Sequence, residues 1–107
     1  MRAWTLLLVA GLLEIGWAIG LKYTDGFTKP GPSILTGTAM ALSMYLLALA
    51  ARDLPIGTAY AVWTGIGALG TALLGMLLFD ESRDAMRLAS ICLIVGGVLG
   101  LKLTGGE

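Results

Sequence analysis

Long apolar runs alternate along the chain with short stretches rich in charge, glycine and proline. A hydrocarbon core about 30 Å thick is crossed by about 20 helical residues, and four runs reach that length. The first covers residues 4–21 (WTLLLVAGLLEIGWAIGL). It is closed by Lys22 and the segment TDGFTKPGP, whose glycines and prolines do not continue a helix. The second covers residues 32–51 and ends at Arg52 and Asp53, just before Pro55. The third covers 56–79 and the fourth 85–103, with the acidic segment DESRD near their junction. Backbone groups inside lipid must find their partners within a helix or a closed barrel. The expectation is an all-α membrane protein, one domain over residues 1–107, with four transmembrane helices per subunit. No length remains for a soluble domain, a nucleotide-binding loop or a catalytic lid. The first apolar run carries Glu14 and lacks a clear small-residue cleavage site, so it is expected to stay in the mature chain.

Composition supports the membrane reading, since 57% of residues are hydrophobic and only 13% charged. Seven basic residues balance seven acidic ones, which offers no basic surface for nucleic acid. The single cysteine, Cys92, lies in an apolar run and reads as packing. With no histidine, nothing gathers into a metal site, so no metal or cofactor is expected. Lys and Arg divide almost evenly between the two sides: Arg2, Arg52 and Lys102 against Lys22, Lys29, Arg83 and Arg87. Orientation follows an excess of these residues on one side. A chain without that excess is free to insert both ways and to form an antiparallel pair, unless one boundary charge dominates and fixes a single topology.

Glu14 is the residue that most needs a reason. An ionisable group near the middle of a span costs several kcal/mol unless it faces a cavity or a partner. A carboxyl group out of water is either protonated or paired with a cation, so the same oxygens can serve proton and cargo in turn. The alternative is a neutral packing carboxyl bonded to a neighbouring helix. Offsets of three and four residues place Ala10, Gly11, Trp17 and Ala18 on the face of Glu14. That face is small apart from one indole, whose N–H is suited to orienting a carboxylate.

In the third span Gly57, Tyr60, Trp63, Thr64 and Gly67 share a stripe of donors, aromatic surface and glycine. Buried Tyr and Trp in lipid need hydrogen-bond partners, and aromatic faces attract cations once water is excluded. Gly65 and Gly67 weaken the helix there and mark a candidate hinge. Ser43 is either a site residue or a hydroxyl bonded back to its own helix. Gly96, Gly97 and Gly100 in the fourth span form a small surface for close helix contact, most simply with a second subunit. One subunit supplies a single deep acid and four helices, too few to enclose a pathway, so self-association is expected.

The segments GLLEIGWAIGLKYTDGFTKPGPS, Ser43, LPIGTAYAVWTGIGALG and GGVLGLKL together resemble the small multidrug resistance family over essentially the whole chain. The resemblance implies an antiparallel homodimer of four-helix subunits in the inner (plasma) membrane, exchanging substrate for protons by alternating access at Glu14. Tryptophan three residues after the glutamate is similar to the subtype that exports guanidinium ion, with Trp17, Ser43, Tyr60 and Trp63 supporting the glutamates. A planar guanidinium donates paired hydrogen bonds to a carboxylate, which agrees with a small polar site. The competing readings are a promiscuous quaternary ammonium exporter and a membrane scaffold subunit. No nucleophile, base or metal set accompanies Glu14, so an enzyme is not expected.

Overall fold

The computed structural model describes residues 2–105. Four helices are found: α1 (Arg2–Thr24), α2 (Pro30–Ala50), α3 (Ile56–Leu78) and α4 (Ala85–Gly105). All four are long and apolar enough to cross a membrane, and no strand occurs among the described residues. α1 and α4 overrun their apolar runs by two or three residues, whereas α2 and α3 end one residue short of theirs. Pro30 opens α2 in the first turn, where its missing N–H removes no intrahelical bond.

The connections are short and internally bonded. After α1 the chain turns through Asp25, Gly26 and Phe27, all at positive φ. Thr24 braces this turn, its hydroxyl donating to the Leu21 carbonyl at 2.9 Å and accepting from the Phe27 amide at 3.2 Å. At the end of α3, Arg83 Nη2 reaches the Met76 carbonyl at 2.9 Å and satisfies one of the carbonyls that a helix end leaves free. Asp84 opens α4, accepting the Arg87 amide at 2.9 Å. That bond, together with the Ser82 hydroxyl, holds the Asp84 carboxyl below the usual range.

The molecule measures 42 × 35 × 16 Å, and its thin dimension is not much more than the roughly 10–12 Å of one helix. The helices therefore form a slab. α1 lies between α2 and α3, while α4 packs on α3. Lipid tails are as apolar as the side chains, so these contacts depend on close packing between small residues. Between α1 and α3 large and small positions alternate: Ile66 lies over Gly11, Glu14 over Gly67, and Ile15 over Gly70. A Cβ on any of these glycines would collide with the side chain opposite. On the α4 side, Val98 fits against Gly65.

The buried core collects at one end of the slab, around Trp4, Leu7, Leu47, Val62 and Trp63. There α2 and α3 also meet, through a hydrogen bond described below. At the opposite end α1 is flanked by two open grooves, one against α3 and one against α2. The three helices thus pack most closely at one end, the sealed end, and less closely at the other, the open end, where Tyr23 of α1 and Phe79 at the end of α3 still meet with ring centroids 5.9 Å apart.

Candidate functional site

Glu14 stands between the sealed and the open ends. It is half-buried and is the one acid within the four helices among the described residues. Its side chain lies directly against the Gly67 backbone, an approach that only a residue without a Cβ permits. Glu14 Oε1 is buried and has no hydrogen-bond partner. An orphaned polar atom in a lipid-embedded helix is expensive, and this oxygen is free to accept a hydrogen bond.

One turn toward the sealed end, three helices are tied together. Ser43 Oγ donates to the Ala10 carbonyl at 2.7 Å, and the indole N–H of Trp63 donates to Ser43 Oγ at 2.9 Å. Ala10 is four residues before Glu14, so its carbonyl is also the one that the Glu14 amide meets in a regular α-helix. Ser43 is fully buried and bonds across 33 residues of sequence, not back to its own helix. Removing it orphans the Trp63 N–H. Ser43→Ala is expected to lower stability by about 1–3 kcal/mol, with Ser43→Thr retaining most of it. A thermal midpoint for Ser43→Ala in detergent equal to that of the wild type would show that this junction does not hold the seal.

One turn toward the open end are two further buried polar atoms without partners, Trp17 Nε1 and Thr71 Oγ1. Thr71 lines the α1/α3 groove with Ala18, whereas Trp17 lines the α1/α2 groove with Gly20 and Thr36. Thr71 is absent from the sequence reading, although it continues the Gly57–Gly67 stripe by one more step of four residues.

The structure brings some of the candidate residues together and leaves others apart. Ser43 and Trp63 are joined, and Glu14 and Gly67 touch. Tyr60 is exposed and packs its ring on Trp63 at 5.6 Å between centroids. No hydrogen bond links Glu14 to Trp17, Ser43, Tyr60 or Trp63 within one chain among the described residues. α3 is continuous through Gly65 and Gly67, and both glycines make close contacts. Gly96, Gly97 and Gly100 lie exposed on α4 with open space where a Cβ would project. Cys92 is exposed on the same helix.

Comparison with known proteins is consistent across nearly the whole chain. The family model described as Small Multidrug Resistance protein matches residues 2–94. A guanidinium exporter of Escherichia coli (strain K12) is 60% identical over 102 residues, which cover 95% of this chain and 97% of that protein. Guanidinium exporters of Salmonella typhimurium (59% over 102 residues, 95% and 97% covered) and Yersinia pestis (59% over 101 residues, 94% and 97% covered) are similar to the same degree. With four membrane-crossing helices and a family match over most of its length, this chain belongs to the Small Multidrug Resistance family.

Proposed function

We propose that this protein is a proton-coupled antiporter of the inner membrane that exports guanidinium ion and small guanidinyl compounds. The observation that carries the reading is Glu14: the one acid in the described helices, pressed on Gly67 with an unpaired carboxyl oxygen, between a sealed and an open end. Its oxygens take a cation or protons, and neither group is held while the other is bound. Guanidinium fits because it is planar and donates pairs of hydrogen bonds to a carboxylate. The high identity to proteins named as guanidinium exporters supports the same substrate.

The working unit in this proposal is an antiparallel homodimer. A slab 16 Å thin encloses no pathway by itself. The near-even division of Lys and Arg permits both orientations. The exposed Gly96, Gly97 and Gly100 surface of α4 suits a second helix at close range. A second subunit also supplies candidate partners for the orphaned atoms of Glu14 and Trp17. Alternating access then amounts to exchanging which end of the α1–α2–α3 group is sealed, with Gly65 and Gly67 as the positions where α3 bends most easily.

Proteoliposomes loaded at low pH test substrate and coupling together. Guanidinium entry is expected to follow the outward proton gradient, with a large aromatic quaternary ammonium transported far more weakly. That ion has no N–H donors, so it leaves the site's buried polar atoms unpaired at about 1–3 kcal/mol each. Comparable transport of the two cations would instead favour a broad exporter using the apolar α1/α2 groove.

A further inference from the structure

The α1/α3 groove leads from the α3–α4 connection toward Glu14. Ala18 and Thr71 form its inner wall, one turn beyond Glu14 and Gly67, and Lys22, Glu81 and Arg87 stand at its mouth. Glu81 already holds a guanidinium group there: Arg87 Nη2 lies 2.8 Å from Glu81 Oε1. The Arg87 and Glu81 side chains are 34% and 43% exposed, so water reaches both, although Arg87 Nε is itself buried without a partner. An ion pair this exposed contributes little to stability and is easily exchanged.

The Glu81 carboxylate is positioned independently of Arg87. Its amide donates to the Gly75 carbonyl at 3.3 Å, and its side chain lies over Gly75, where a Cβ would come within 2.5 Å of Oε1. The end of α3 therefore keeps the carboxylate at the mouth when the arginine swings away. Lys22, with its Nζ 5.8 Å from the centre of the Phe79 ring, adds a second positive charge to the mouth. Glu81 is the one acid among the groove's lining residues.

We propose that Glu81 is an outer binding site for guanidinium ion, where the free cation displaces the chemically equivalent side chain of Arg87 before moving along the α1/α3 groove to Glu14. This rests on the exporter reading above. Arg87 is then a tethered competitor that occupies the carboxylate when guanidinium is scarce. Capture at the mouth governs the concentration dependence of transport and leaves the rate at saturation to Glu14.

The two partners of the ion pair should therefore respond in opposite directions. In proteoliposomes, Glu81→Gln is expected to raise the KM for guanidinium about fivefold with an unchanged maximal rate, and Arg87→Gln to lower the KM about threefold. A pair that merely braces the connection would shift both variants the same way. Same-sign changes, or no change in either KM, overturn the proposal while wild-type guanidinium exchange still stands. Wild-type protein with no proton-driven guanidinium uptake would instead overturn the exporter reading. If Glu81→Gln does not fold, as judged by helicity and elution in detergent, the KM of Arg87→Gln alone decides: a fall supports the outer site and an unchanged or raised value rejects it.

Discussion

Glu14→Gln protein in liposomes is expected to show no proton-driven guanidinium uptake above that of protein-free vesicles. The amide has nearly the shape of the carboxyl group, so the approach to Gly67 and the α1/α3 packing survive. What is lost is charge. An amide neither balances a cation in a low-dielectric site nor releases a proton when the cation arrives, so binding and coupling disappear together. No other acid within the described helices can substitute, because Asp25, Asp53, Asp80, Glu81 and Asp84 all lie in connections outside them. Guanidinium binding by calorimetry in detergent separates the two losses. Wild-type uptake by the glutamine variant would remove Glu14 from the mechanism.

Gly67→Ala is expected to reduce guanidinium uptake by about a hundredfold while leaving the helices intact, because displacing a binding group by about an ångström has effects of that order. The new methyl group would occupy the space of the Glu14 side chain, from Cγ to Oε1. Alanine favours the helix more than glycine does, so secondary structure gives no reason for a loss. Two companion variants isolate the cause. Gly57→Ala meets open space and should transport normally, whereas at Gly65 the added methyl meets Val98 of α4, not Glu14, and should affect stability more than coupling. Near-normal uptake by Gly67→Ala would show that the carboxyl group works equally well away from this backbone. Equal, severe losses at residues 65 and 67 would favour a hinge in α3 over the direct contact.

The four helices were legible in the sequence because lipid imposes a simple requirement: about 20 apolar residues in a row, with helical backbone throughout. Charges, glycines and prolines punctuate those runs clearly, so the boundaries from the sequence and the structure agree to within about one turn. Glu14 was equally legible, since one acid surrounded by apolar residues stands out without any knowledge of its neighbours. Which side chains meet was a different matter. Ser43 on its own was open to bonding within α2 or serving a site, and only the approach of α1 and α3 sent its hydroxyl to Ala10 and the Trp63 indole onto it. Gly67 read as a weak point in α3 because the sequence carries no sign of what lies opposite. Trp17 shares a broad face with Glu14, but three residues along a helix leave an offset of about 60°. α1 runs between two neighbours, and that angle is enough to place the indole in the α2 groove while the carboxyl group packs on α3. The length and composition of the apolar runs thus determined the spans and the one acid within them, while the pairing of helix faces, which depends on shape across the slab, was decided only by the tertiary structure.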